Sequence, residues 1–181
     1  MGDERREFEE IFLPHLDAAY NLARWIVQND QDAQDVVQEA CIRAFRAISR
    51  VTDGHFRAWV LTVVHNTACS WLRRNRRHAA LVAVPDLAAT ELEHAIVGDV
   101  NAETPETLLI AKSDAERLDA AISALPMPFR ETLVLRDLEG LSYRKIAEIT
   151  GAPIGTVMSR LARGRKRLLE RIAEETKFTH C

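Results

Sequence analysis

The residues best placed for chemistry in this chain are cations spaced for recognition. The stretch LSYRKIAEITGAPIGTVMSRLARGRKRLLERI, Leu141 to Ile172, carries Arg160, Arg163, Arg165, Lys166 and Arg167, and no acid lies between Pro153 and Leu169. Val157, Leu161, Leu168 and Ile172 recur at offsets of four, seven and four, which is one apolar helical stripe. Thr156, Met158, Ser159 and the cations therefore share the remaining faces. Upstream, Ser142 suits an N-cap for a first short helix containing Tyr143, Arg144 and the apolar positions Ile146, Ala147 and Ile149. Gly151 stands where a left-handed residue ends a helix, and Pro153 suits the start of the next. A short helix, a tight turn and a cationic second helix with small outer residues is the form that reads a DNA major groove, with phosphates on both sides meeting Arg and Lys. A basic helix that merely caps a bundle is the alternative. The turn spacing and the missing acids weigh against it.

A second cluster closes the segment FRAWVLTVVHNTACSWLRRNRR. Phe56, Trp59 and Trp71 precede Arg73, Arg74, Arg76 and Arg77, a combination that suits stacking of unpaired bases with the backbone held alongside. Cations also favour a helix C-terminus, but four exceed that need, and Trp59 and Trp71 serve equally well as core residues. His65 and Asn66 fall mid-helix on what reads as a polar face. No nucleophile–base pair, metal cluster or phosphate-cradling glycine loop emerges from the sequence, so no catalysis and no cofactor are expected. Cys41, Cys69 and Cys181 are too few and scattered for a disulfide framework or zinc knuckle, and His180 with Cys181 does not make a metal site.

The elements that position these groups are predicted to be helical throughout. The chain has 181 residues, 47% of them hydrophobic, with six Pro and seven Gly. No apolar run approaches a membrane span, MGDERREFEE is unlike a signal peptide, and the cysteine usage suits a reducing cytoplasm. Phe8, Ile11, Phe12, Leu16, Ala19, Tyr20, Ala23, Ile26 and Val27 form a first core face, which Pro14 splits. Asn29-Asp30 breaks and caps a second helix to about Ser49. Its buried side is Val36, Val37, Ala40, Cys41, Ala44, Phe45 and Ile48, and Asp32, Asp35, Gln38, Glu39, Arg43 and Arg46 are exposed. The third helix is expected from about Phe56 to Arg77.

Net charge is −3, yet it divides sharply. Residues 1–77 hold 11 basic and 11 acidic groups, residues 78–115 one Lys and seven acids, and residues 116–181 12 basic and nine acidic groups. Two basic surfaces thus flank an acidic connector without regular period, punctuated by Pro85, Gly98 and Pro105. The reading is all-α: a domain over 1–78, an acidic flexible linker over 79–112, and a helix-turn-helix domain over 113–181. The last opens with a helix using Leu118, Ala121, Ile122 and Leu125, followed by a second from Arg130 to Leu138.

The ordered segments DAQDVVQEACIRAFRAI, FRAWVLTVVHNTACSWLRRNRR and ALPMPFRETLVLRDLEGLSYRKIAEITGAPIGTVMSRLARGRKRL, with the acidic connector, resemble the extracytoplasmic-function (ECF) sigma factors of bacterial RNA polymerase. The resemblance covers nearly the whole chain. It departs from the usual pattern at Ser70, Met158 and Gly164. It implies a dissociable polymerase subunit in which Asp32, Asp35, Gln38, Glu39 and Arg43 dock the core enzyme. Asp53, Phe56, Trp59, Asn66, Trp71 and Arg73, Arg74, Arg76 and Arg77 would hold the melting −10 element. Ser142, Tyr143, Arg144, Thr156, Met158, Ser159, Arg160, Arg163, Lys166 and Arg167 would read the −35 element, with Arg160 foremost at base edges. An anti-sigma partner is expected from the same resemblance. The competing reading is a stand-alone helix-turn-helix transcription regulator, with a sensing or dimerising first domain.

Overall fold

The computed structural model describes residues 2–48, 56–82 and 115–178, and side chains within 6–48, 56–75 and 115–174, except residue 7. The backbone is helical in nine pieces among these residues. They are α1 (Gly2–Phe12), a 3-10 turn (Leu13–His15), α2 (Leu16–Val27), α3 (Asp30–Ala47), α4 (Phe56–Val82), α5 (115–123), α6 (Met127–Leu133) with a π-helical continuation (Val134–Leu138), α7 (Tyr143–Thr150) and α8 (Ile154–Phe178).

Local chemistry sets most boundaries. Pro14 cannot carry an internal helical hydrogen bond, and the chain passes through the 3-10 turn there. After α2 the chain reverses at Gln28, held at φ 57, and the Asn29 side chain then accepts from the Asp32 backbone N–H at 3.0 Å to cap α3. Asp30 and Asp32 in the first turn of α3 face the positive end of its dipole. The small residues Ala33, Ala40 and Ala44 of α3 are fully buried with Val36, which lets α3 lie close against α2 and α4. Leu22 from α2 and Val60, Leu61, Val64 and Ala68 from α4 complete that core. Truncating a fully buried leucine such as Leu22 to alanine costs about 2–5 kcal/mol.

The second unit closes around Leu133, Val134, Leu135, Ile146, Ile149, Val157 and Leu161. Gly164 of α8 lies directly on α6: a Cβ there would meet the Phe129 Cβ at 3.4 Å. The two units touch, α2 against α6 and α4 against α7, and their apolar residues form one continuous cluster.

Some stripe assignments need correction. Phe45 and Leu118 were expected inside but are 43% and 42% exposed, although the Phe45 ring meets Phe8 edge-on at 5.5 Å. The helix expected from Arg130 begins at Met127, and α4 runs past Arg77 to Val82. His65 is not on a solvated face; it is buried, with Arg130, Glu131 and Glu139.

Candidate nucleic-acid interface

The helix-turn-helix is built as its residues dictate. Ser142 Oγ accepts from the Lys145 backbone N–H at 3.3 Å, capping α7. Gly151 ends the helix at φ 67, a conformation that costs glycine no Cβ clash. The Val157 N–H bonds the Pro153 carbonyl at 3.0 Å, starting α8 one turn later. Val157 and Leu161 turn inward with Ile146 and Ile149, which fixes the outward face. Met158, Ser159, Arg163, Lys166 and Arg167 are exposed and Thr156 is half-buried.

The cations of α8 are engaged unequally. Arg165 forms a bidentate pair with Asp137 from the π-helical turn, and Arg167 lies 4.7 Å over the Phe129 ring. Both brace the helix against α6 and its π-helical turn. Lys166 sits 3.8 Å from Glu170 in an exposed pair, a contact of little energy. Arg163 makes no ion pair among the described residues. Arg160 is different: its side chain is only 28% exposed and its Nη1 reaches Glu131 Oε1 at 3.4 Å. The residue expected foremost at base edges is thus partly drawn inward. On α7, Arg144 is 84% exposed at its side chain, and Tyr143 is half-buried beneath Arg136, whose guanidinium lies 4.9 Å over its ring.

On the first unit, Phe56, Trp59, Asn66 and Arg73 fall within about 100° of one face of α4 at 100° per residue, while Trp71 lies toward its edge. Asn66 and Arg73 are exposed; Phe56, Trp59 and Trp71 are half-buried, the two tryptophans resting on the core. Phe56 and Trp71 are about 22 Å apart along the helix, so they do not form one pocket. Arg73 donates to Ser70 Oγ at 3.0 Å, and Ser70 donates to the Asn66 carbonyl at 2.8 Å. Asp53 and the side chains of Arg76 and Arg77 lie outside the described residues, as do Cys181 and residues 83–112 of the expected linker, whose first residues, 79–82, instead continue α4.

The α3 face presents Asp35 and Gln38 fully and Asp32 partly. Burial first, then the nearby Asp35 charge, push the Asp32 carboxyl upward. Glu39 is more than a surface acid. It accepts from Arg43 on its own helix and from Arg74 of α4 at 2.7 Å, and the Arg74 bond holds its carboxyl below the ordinary range. It therefore links the acidic face of α3 to the arginine end of α4.

Sequence reasoning missed the polar network between the units. Arg130 is buried and donates Nε to the Trp25 carbonyl at 2.6 Å and Nη1 to the carbonyls of Ser123 at 2.6 Å and Leu125 at 2.9 Å. Burial pulls its guanidinium down to about 10, against the charge of Glu131, and it remains a cation at neutral pH. The Glu131 carboxylate divides between Arg160 and His65, whose Nε2 is 3.0 Å from Oε2. Burial opposes a charged His65 ring, but hydrogen bonds with Cys69 and Glu131 and their charge outweigh it, lifting the ring to about 9. The signal in the sequence was Arg130-Glu131 inside the apolar run FRETLVL, two charges at positions that helical period assigns to the interior.

Residues 11–78 match the family signature described as sigma-70 region 2, and residues 115–168 that of sigma-70, region 4. The chain is 33% identical over 172 residues to the ECF RNA polymerase sigma factor SigE of Mycolicibacterium smegmatis, covering 95% of this chain and 64% of that protein. It is 34% identical to the RNA polymerase sigma-H factor of Pseudomonas aeruginosa, covering 90% and 84%. Among solved structures, the sigma factor RpoE of Bartonella quintana, in complex with the anti-sigma factor NepR, superposes with a TM-score of 0.74 at 25% identity, covering 93% of this chain and 98% of that one.

Proposed function

The chain belongs to the ECF sigma factors of RNA polymerase, and from that premise we propose how its surfaces divide the work of promoter recognition. It directs core RNA polymerase to particular promoters and performs no catalytic step itself. Its place of action is the cytoplasm, where polymerase meets DNA; among the described residues no helix is long and apolar enough to cross a membrane.

The α3 face of Asp32, Asp35, Gln38, Glu39 and Arg43 docks the core enzyme. The face of α4 with Phe56, Trp59, Asn66 and Arg73, joined by Trp71 and Arg74, receives the unpaired −10 strand. Asp53, Arg76 and Arg77 belong to the same proposal on sequence grounds. Helix α8 enters the −35 major groove with Thr156, Met158, Ser159, Arg160, Arg163, Lys166 and Arg167. Ser142, Tyr143 and Arg144 meet the flanking backbone. Arg163 is exposed and unpaired among the described residues, so it reaches a guanine edge without giving up a protein partner. Arg160 must first release Glu131. The Bartonella relative is held by an anti-sigma protein, and a partner of that kind is proposed here too.

The observation that carries this reading is the order of both sigma regions on one chain, with a helix-turn-helix, among the described residues, in the second alone. A unit that reads duplex beside a unit suited to unpaired bases is what promoter melting by a polymerase requires. Gel filtration with purified core polymerase tests it: co-elution at one-to-one stoichiometry is expected. Tight binding to duplex DNA without any association with polymerase would favour the stand-alone regulator.

A further inference from the structure

In a helix-turn-helix the N-terminal turns of the second helix are the ones that meet base edges. In this chain those turns offer no free cation. Arg160 is the first charged residue of α8, and it is drawn toward Glu131 of α6. The Ser159 hydroxyl donates to the Thr156 carbonyl at 3.0 Å, so its hydrogen is taken up by its own helix. Thr156 is half-buried. What remains outward is apolar or bare. Ile154 is 47% and Met158 52% exposed, Ala162 is exposed, and a Cβ built on Gly155 would meet nothing within 4 Å.

Ile154, Met158 and Ala162 stand four residues apart, so they form one row along α8 with about 6 Å between neighbours. The next member of the row is the exposed Lys166. Arg163 and Ser159 lie alongside, and no acid falls between Pro153 and Leu169. Whatever covers this row is therefore apolar where it touches Ile154 and Met158, and anionic on either side. A DNA major groove combines the two: thymine C5-methyl groups are the apolar points on its base edges, and phosphates flank them.

We propose that Ile154 and Met158 are specificity-determining residues that read thymine methyl groups in the −35 element. The inference rests on the −35 reading proposed above and names what that surface selects. At 3.4 Å per base pair the 6 Å step of the row matches thymines about two pairs apart. The small side chain of Ala162 lets the following turn approach the groove closely. Arg163, on the adjoining face, is left to a guanine edge, so methyl and guanine contacts divide the element between them.

Holoenzyme formed from core polymerase and the full chain is used to select fragments from a pool randomised over the −35 element. The preferred sequence should carry thymines, on either strand, at two such positions. Replacing each of these thymines by deoxyuridine removes only the methyl and should weaken binding about fourfold per site. With Ile154→Ala one of the two losses should vanish, and with Met158→Ala the other. Both side chains are exposed, while Val157 and Leu161 hold the inward side, so the fold tolerates the changes. Neither variant should alter the salt dependence, since no phosphate contact is removed. Ile154→Val and Met158→Leu keep an apolar group in place and should retain the methyl dependence. A preferred sequence without thymine, deoxyuridine tolerated at every position, or methyl losses that persist in both alanine variants overturns the proposal. Alanine variants that keep the methyl dependence but assemble poorly with core polymerase overturn it in favour of a protein contact on this row. A pool from which the holoenzyme selects no −35 sequence at all refutes the −35 reading itself, and this inference with it.

Discussion

Replacing Glu131 by glutamine isolates the buried pair at the centre of the molecule. The amide keeps the shape and can still accept from His65 Nε2, but it removes the charge that His65 and Arg160 share. In the native protein the ring is raised from 6.5 to about 9, against its burial, by Cys69 on the same helix and Glu131 on α6; Arg160 of α8 is the cation opposite. That rise corresponds to an upper bound of about 3 kcal/mol at low pH. A retained neutral hydrogen bond returns about 1 kcal/mol, leaving a net loss of about 1–3 kcal/mol. For a chain of this size the melting temperature should fall by roughly 2–12 °C. Because the folded-state value is raised, the contribution is complete below pH 6.5 and fades as pH climbs through about 9. Melting of wild type and Glu131→Gln should thus differ most near pH 6 and converge by about pH 10. Parallel curves with a constant gap would refute the charge argument, and identical curves would refute the pair itself.

Gly164→Ala should stabilise the protein by up to about 1 kcal/mol in a thermal melt, since alanine is the better helix former and its Cβ fits against Phe129. Gly164→Leu should instead cost about 1–3 kcal/mol by overpacking that contact. Asp35→Lys should weaken core polymerase binding with unchanged melting, whereas Glu39→Lys should also lower the melting temperature, because it loses Arg43 and Arg74 together. In a binding matrix over −35 variants at two salt concentrations, Arg163→Ala should relax preference at one or two positions, by about 1–3 kcal/mol. Lys166→Ala should weaken all sequences alike and flatten the salt dependence. Burial pushes the Cys41 thiol upward, so alkylation of native protein at Cys41 should be slow and should accelerate on unfolding.

What was legible in the sequence was local. Ser142, Gly151 and Pro153 announce the helix-turn-helix because a cap and a left-handed stop depend on neighbours within a few residues. Asn29 and Pro14 did the same for the first unit. Stripes were less certain guides: period tells which side of a helix Phe45 or Leu118 occupies, but not whether another element covers it. The contact between units lay beyond such reasoning, since His65 finds Glu131 66 residues away and Arg130 finds Trp25 105 residues away. A mid-helix histidine and a charged pair in an apolar run were visible, but only the fold could bring them together. Arg160 suffered the same fate, an outward-reading cation drawn half inward by an acid on α6.

The most direct measurement is transcription itself: purified core polymerase, this chain and a pool of promoter-sized DNA fragments, with the 5′ ends of the transcripts mapped. The account predicts starts that appear only when the chain is added, downstream of one shared pair of −10 and −35 sequences. The altered chain with Arg163→Ala should lose preference in the −35 half alone. Transcription that is unaffected by the chain, or starts that share no upstream sequence, would contradict it.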